Sequence, residues 1–445
     1  MVDIKAISGF PEFLPAEQIV FGQVCEIIRA GFERFGFSPI ETPAVERKEI
    51  LTAKGDFGRE IYGLSRLGDE GEDTTDTDLA LHFDLTMPLA RYVAMHRDKL
   101  TFPFRRYQIQ KVWRGERAQA GRYREFYQCD IDVVGRGELS VLNDAEIPSV
   151  IYHIFREMQI GQFVIRINNR KIVEGYLDHL EIPQASFFDV MRVVDKLDRV
   201  GRGQVADELT RKFALKDEII KEILKIVSVK SSDMAVLNEL EAMKVNETFA
   251  KGVAELRAVM DCIRLFNVPT DYLQVDLGVV RDLSYYTGTI YETTLTNYSE
   301  VGSICSGGRY DGLAGFFAEE ALPGVGISIG LTRLVMRLIQ AGILKVGAAT
   351  VAPILVTMIN QQEAARYLKV GSLLREAGVP TEVYFGSVSL SEQLRYAHRK
   401  GFRIAVIIGK AEIADNNVKL RNLKTGDEVI CAEDEVVQQV QRIIA

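Results

Sequence analysis

The chain has 445 residues, with 62 Asp and Glu against 54 Lys and Arg, and a formal net charge of -8 at pH 7. A hydrophobic share of 47% and a charged share of 26% are those of an ordinary globular protein, long enough for two or three domains with cores of their own. The acidic balance argues against a protein that coats nucleic acid non-specifically, while leaving room for local basic surfaces that meet RNA. No stretch approaches the ~18 apolar residues of a membrane span. The five cysteines (Cys25, Cys129, Cys262, Cys305, Cys431) are scattered, without CxxC or CxH spacing, so neither a zinc site nor a disulfide framework is expected. They read as reduced, intracellular thiols. The opening "MVDIKAISGFPEFLP" has no basic region followed by an apolar run, so no secretory signal is expected there.

In chain order, residues 16–36 predict an amphipathic helix with Val20, Val24, Ile27, Ile28 and Phe32 at helical spacing. Pro39 and Pro43 in "GFSPIETPAVE" end it and force an extended edge. Residues 57–80 pass into an acidic loop rich in Gly and Thr, and 81–96 read as a strand running into a helix. Residues 104–135 predict two antiparallel strands joined by a polar loop. The second strand alternates: Tyr127, Cys129, Ile131 and Val133 on one face, Phe126, Gln128, Asp130 and Asp132 on the other. An aromatic, an amide and two carboxylates on one face look like the floor of a site. Residues 186–266 are helical in period and read as an insertion. Strand signals return at 272–295 and 301–309, and "PGVGISIGLTRLVMRLIQAG" (323–342) reads as a strand entering a helix. From about 350 the texture becomes α/β for about a hundred residues, a separate domain by size.

Four stretches carry chemistry. "VWRGERAQAGRYREFYQCDID" puts Arg114, Arg117, Arg122 and Arg124 into eleven positions. A solvated face, paired with Glu116 and Glu125, competes with a nucleotide site in which an aromatic stacks on a base while guanidiniums hold phosphates. In "VVRDLSYYTGTIYETT", Arg281 precedes Tyr285 and Tyr286, which face opposite ways if extended. Gly307 and Gly308 in "ICSGGRYDGL" imply close approach by a ligand or another backbone, or a bulge. "GVGISIGLTRL" brings glycines into a helix with Arg333 on its first turns.

Taken together these segments resemble the histidyl-tRNA synthetases, class II aminoacyl-tRNA synthetases, over essentially the whole length. "GFSPIETPAVE", "WRGERAQAGRYREFYQCDID" and "GVGISIGLTRL" are similar to the three class II motifs; "LHFDLT", "REFYQCDID" and "VVRDLSYYTG" resemble histidine-specific segments. The resemblance implies an α+β fold: a catalytic domain over 1–345, built on an antiparallel six-stranded sheet flanked by helices and carrying the insertion at about 186–266. A C-terminal α/β anticodon-binding domain would follow over 350–445. It implies ligation of L-histidine to tRNA(His) through histidyl-adenylate, with ATP as substrate and Mg²⁺ held mainly by its phosphates. It also implies a cytoplasmic homodimer. By motif match Arg114 and Arg281 are catalytic, and Arg114, Arg122, Phe126 and Arg333 bind ATP. Asp84, Thr86, Gln128, Asp132, Tyr285, Tyr286, Gly307 and Gly308 bind histidine, with Asp130 either a second charge behind them or a salt-bridge partner. Arg117, Gln119, Arg395 and Arg399 face tRNA.

The chain departs from the family pattern at Asp282 and Ser284 in "RDLSYY", at His82 before "FDLT", and at Ala118 and Ala120, where many bacterial members have Pro and Lys. The alanines predict a different reading of the first base pair of the tRNA. The alternative function is the catalytically silent regulatory subunit of ATP phosphoribosyltransferase. The four retained arginines (Arg114, Arg122, Arg281, Arg333) and the extra domain weigh against it.

Overall fold

A computed structural model describes residues 4–53, 60–65, 78–117, 121–280, 286–298, 301–312, 315, 317 and 319–444. It divides into two compact units: Val24–Leu344 with the segment ending at Pro11, and Glu12–Gln23 with the chain from Lys345 onward.

Helix α1 (Pro15–Arg34) enters the first unit from Val24 onward, and that unit continues through strands β1 (Ser38–Pro39) and β2 (Val45–Arg47), α2 (Lys48–Thr52), β3 (Leu79–Leu81) and α3 (Thr86–His96). The long hairpin β4 (Phe104–Trp113) and β5 (Glu125–Val134) follows, then α4 (Leu142–Glu157), β6 (Phe163–Asn169) and α5 (Arg170–His179). Helices α6 (Phe187–Val194), α7 (Leu197–Phe213), α8 (Asp217–Ile226), α9 (Ala235–Ala242) and α10 (Glu247–Leu265) fill the stretch read as an insertion, with β7 (Lys230–Ser231) among them. The unit closes with β8 (Leu273–Asp276), β9 (Thr289–Leu295), β10 (Ser303–Tyr310), β11 (Gly324–Gly330) and α11 (Leu331–Gln340).

Nine of these strands form one sheet in the order β1-β4-β5-β11-β10-β9-β6-β8-β7. The six from β4 to β6 are antiparallel throughout. They are the six-stranded sheet expected from the sequence, extended by parallel β1 on one side and by β8 and β7 on the other. The Pro39 edge is therefore the sheet's end strand, where a missing N–H costs nothing. One face of the sheet packs on helices: Cys129, Ile131 and Val133 are fully buried, as are Ile147, Val150 and Ile151 of α4. The close spacing of α1 and α4 needs Gly31, whose Cβ would stand 2.4 Å from Ile154. The other face carries the polar residues, and α3 docks beside it through Phe83, Met87 and Ala90 packed against Tyr310.

The second unit is a five-stranded sheet, β13 (Thr381–Val383), β12 (Ile354–Val356), β14 (Ile404–Ile407), β15 (Asn417–Asn422) and β16 (Glu428–Ala432), ordered β13-β12-β14-β15-β16. Its first three strands are parallel and the rest antiparallel. Helices α12 (Ala364–Glu376) and α15 (Val436–Ile444) cover the face of Ile354, Val356 and Val406. Helix α13 (Leu390–Lys400) covers the face of Leu355, Ala405 and Ile407. Burial on both faces explains the continuous apolar strands read in the sequence. A Ser389–Glu392 capping box opens α13 and Gly401, at φ 81°, closes it.

Gly307 is where the sheet tolerates least. A Cβ there would stand 2.1 Å from the Gly326 carbonyl oxygen and 2.5 Å from Ile327 Cα. Gly307→Ala is expected to destabilise the chain by about 1–3 kcal/mol through overpacking, read as a lower urea midpoint. Gly203→Ala, on an open stretch of α7, is expected to raise the midpoint, by about 0.5–1 kcal/mol.

Candidate active site

A cavity of about 1610 Å³ opens on the polar face of the sheet. Its floor comes from the alternation of β5: Phe126, Gln128, Asp130 and Asp132 all line it. Across the ladder, Gln110 stands opposite Gln128, Gln108 opposite Asp130 and Arg106 opposite Asp132. The polar set thus spans two strands. Sequence reading missed its β4 half, although the period-two run Arg106, Gln108, Gln110 was there to be found.

Arg106 is fully buried, and its guanidinium pairs with Asp132 Oδ2 at 2.6 Å. Tyr310 donates its hydroxyl to Asp132 Oδ1 at 2.7 Å. Gln108 donates to Thr42 Oγ1 at 3.0 Å and to Gln110 Oε1 at 2.6 Å. Gln128 donates to Ser328 Oγ on β11 at 2.7 Å. Burial pushes the Asp132 carboxyl up to about 6, against the Arg106 guanidinium and the Tyr310 hydroxyl, which hold it down. Burial pushes Asp130 up to about 7, with Arg106 and Ser328 opposing. Asp84, at the entry to α3, is also raised by burial; its Oδ1 accepts the Met87 amide at 3.1 Å.

The arginines sit at element ends around this floor. Arg114 leaves the end of β4, donates Nε to the Phe83 carbonyl at 3.0 Å, and lies 5.1 Å from the centre of the Phe126 ring. Arg333, in the first turn of α11, donates to the Val301 carbonyl at 3.1 Å. Arg122 pairs with Glu116 at 3.2 Å and is half exposed. Gly121, at φ +81°, makes the loop turn that brings Arg122 over the cavity; Arg337 packs where its side chain would be.

Of the residues predicted for the site, Asp84, Thr86, Arg114, Arg122, Phe126, Gln128, Asp132, Tyr286, Gly308 and Arg333 line this one cavity. Gly308 leaves room for the Tyr286 ring, whose Cδ1 would stand 2.8 Å from a Cβ. Gly307 is not in the cavity wall and needs correcting: strand parity turns it away, and its closeness serves β10–β11 pairing. The sheet irregularity in this region lies between Ser303 and Cys305, not at the glycine pair. Arg117 is exposed and outside the cavity lining. Arg395 and Arg399 are exposed on α13 of the second unit. Arg281, Tyr285 and Gln119 lie outside the described residues, as do Ala118, Ala120, Asp282 and Ser284. His82 is buried beneath the site, with Nε2 2.7 Å from the Lys111 carbonyl oxygen and its ring beside Trp113. Glu125 pairs with Lys111 at 2.6 Å rather than with an arginine, and Arg124 donates to the Glu116 carbonyl.

The floor offers acceptors and carboxylates suited to a small molecule rich in N–H donors, and the rim offers guanidiniums suited to an anion. A single site that takes both fits a ligand pair such as an amino acid and a nucleotide.

Comparison with known proteins points the same way. Residues 9–334 match the family described as histidyl-tRNA synthetase, and residues 351–443 match an anticodon binding domain. The chain is 42% identical to a histidine–tRNA ligase from Clostridium tetani, covering 99% of each. It is 43% identical to one from Nostoc sp., covering 99% of this chain and 98% of the relative. The crystal structure of histidyl-tRNA synthetase from Nostoc sp. PCC 7120 superposes with a TM-score of 0.89 at 41% identity, over 99% of this chain and 100% of that one. A Bacillus halodurans structure described as an ATP phosphoribosyltransferase regulatory subunit/histidyl-tRNA synthetase shares the fold, at a TM-score of 0.72 and 18% identity, over 89% of this chain and 97% of that one.

The Arg106–Asp132 pair gives a direct test. Removing one partner of a buried pair costs about 3–5 kcal/mol, so Arg106→Met is expected to destabilise strongly at pH 8. The sign with pH follows from the raised carboxyls. The folded state keeps protons on Asp130 and Asp132 that the unfolded chain releases, so their contribution to stability falls as pH rises from about 4 to about 7. At pH 5, with both carboxyls largely neutral, the Arg106→Met deficit is expected to shrink, as read by urea unfolding at the two pH values.

Proposed function

Because the chain belongs to the histidyl-tRNA synthetase family and is by that membership a histidine–tRNA ligase, we propose that the cavity on its first unit carries out both chemical steps with the residues that line it. In the first step a carboxylate oxygen of histidine attacks the α-phosphorus of ATP. The bond from that phosphorus to the β-bridging oxygen breaks, and diphosphate leaves with the electron pair. In the second, a hydroxyl of the 3′-terminal nucleotide of tRNA(His) attacks the histidyl carbonyl, AMP leaves with the electrons of the mixed anhydride bond, and the hydroxyl proton passes to the departing phosphate. Two anions meet in the first step, so the enzyme's contribution is alignment and charge neutralisation.

Arg114 is the residue to bridge the histidine carboxylate and the α-phosphate. Arg122 and Arg333 take the outer phosphates, and Phe126 stacks on the adenine. Mg²⁺ enters with ATP and is held mainly by phosphate oxygens. Asp84, Thr86 and Gln128 receive the ammonium; Asp132 and Tyr286 read the ring, beside Gly308. Arg281 and Tyr285 join these groups on the motif match alone. The observation that carries this reading is that a single strand presents Phe126, Gln128 and Asp132 side by side, with Arg114 held against Phe126. Arg117, Gln119, Arg395 and Arg399 are the tRNA-facing set, with the anticodon read by residues 350–445. By the motif match the active form is a cytoplasmic homodimer.

Histidine, alone among the amino acids, is expected to support exchange between ATP and labelled diphosphate; exchange driven by another amino acid would overturn the reading. Arg114→Ala should slow that exchange by about 10²–10³-fold, the scale of losing one preorganised charge-stabilising donor. The alanines at 118 and 120 lead to a further expectation. Transcripts of tRNA(His) with and without the extra 5′ guanosine should be charged at more nearly equal rates than a strict requirement allows. A strict requirement would remove the role given to that loop.

A further inference from the structure

Gln128, Ser328 and Asp130 form a short relay across β5 and β11. Ser328 stands in register with Asp130. Its oxygen receives the Gln128 amide at 2.7 Å, and its hydroxyl is close enough to Asp130 to oppose the rise of that carboxyl. Each of the two neighbours is left with one acceptor unused. Gln128 Oε1 and Asp130 Oδ1 are buried without a hydrogen-bond partner, on residues 8% and 3% exposed that both line the cavity. Unmet buried acceptors are rare and call for something that fills them. Asp132 differs, because its two oxygens already meet Tyr310 and Arg106.

On the histidine-site reading given above, we propose that Asp130 is a further specificity-determining residue, whose Oδ1 accepts an imidazole N–H of bound histidine while Gln128 Oε1 accepts from the ammonium. Residues two apart on one strand face are about 6.8 Å apart, which suits a ligand with one donor at its α-carbon and another on its ring. Burial, with Asp132 and Asp84 nearby, raises the carboxyl despite Arg106 and Ser328, so an N–H donor delivered to Oδ1 helps to hold its ionised form. A ring of equal shape without an N–H leaves Oδ1 unpaired and is rejected. Ser328 is a positioning residue that acts through Asp130 and Gln128.

The test uses the full chain and histidine-dependent exchange of ATP with diphosphate, with β-(2-thienyl)alanine as the ring isostere. Asp130→Ala is expected to raise KM for histidine about 10- to 100-fold, the scale of a hydrogen bond to a charged group. kcat and KM for ATP should stay within about threefold, and the preference for histidine over thienylalanine should narrow by a similar factor. Asp130→Asn, which keeps the volume and one neutral acceptor, should fall between, and Ser328→Ala should shift KM in the same direction by less. If Asp130→Ala does not fold, Asp130→Asn carries the test alone. Unchanged KM and discrimination in the Asp130 variants, with a raised KM in Gln128→Ala, would overturn the proposal and leave the histidine site standing. No effect from Gln128→Ala either would overturn the site assignment beneath it.

Discussion

Arg106 is buried in the middle of a β-sheet, and it stays there because Asp132 faces it across the ladder at 2.6 Å. Everything polar on that face depends on this pair. Asp84, Asp130 and Asp132 bring three carboxyls into one dry wall, and Arg106 opposes the charge of all three. Without it, the floor would have to take up protons or admit water. With it, Asp132 is fixed by Tyr310 on one side and a guanidinium on the other, and the rest of the floor keeps its register. A buried pair contributes little net stability compared with an apolar pair of equal size. Its place here is better explained by what it holds in position.

The arginines of the molecule divide by what holds them. Arg309 is locked by Asp144 at 2.7 Å, with the Ser140 carbonyl alongside, and joins α4 to the sheet. Arg166 is shared among Asp276, Glu292 and Asp198 and ties β6 to α7. Their charge is spent on carboxylates. Arg114 is oriented instead by a carbonyl and an aromatic face, with Asp84 near enough to feel its charge. An arginine oriented by neutral groups keeps its attraction for an incoming anion, which is what the meeting of a carboxylate and a phosphate requires.

The strand β5 was legible because a half-buried strand writes its two faces in alternate letters, and Phe126, Gln128, Asp130 and Asp132 do so. Its partner β4 carries the same alternation in Arg106, Gln108 and Gln110. There an arginine followed by two glutamines reads as a solvated edge until the register with Asp132 is known. Burial of a charge is a property of the pair, and the pair is 26 residues apart only in sequence. Arg309 and Asp144 make the point more strongly, at 165 positions apart. Gly307 shows the opposite failure. The sequence signals a close approach, and the approach is real, but whether a ligand or a neighbouring strand makes it is decided by strand parity. The two-faced sheet of the second unit was legible as apolar runs, whereas the exposure of Arg395 and Arg399 depends on which face of α13 meets the sheet.

On the proposed reading, β5 also fixes the direction in which the substrate lies. From Phe126 to Asp132 the strand runs about 20 Å, with the base-stacking ring at one end and the Arg106-bound carboxylate at the other. An amino acid whose ammonium meets Gln128 has its side chain directed toward Asp130 and Asp132, and its carboxylate left toward Arg114 and Phe126. Reversing it would leave the ring N–H groups among guanidiniums with nothing to accept them, and would set the carboxylate against three buried acids. The order of four side chains on one strand therefore selects a single orientation, and that orientation brings the carboxylate to the arginine where the α-phosphate is to be attacked.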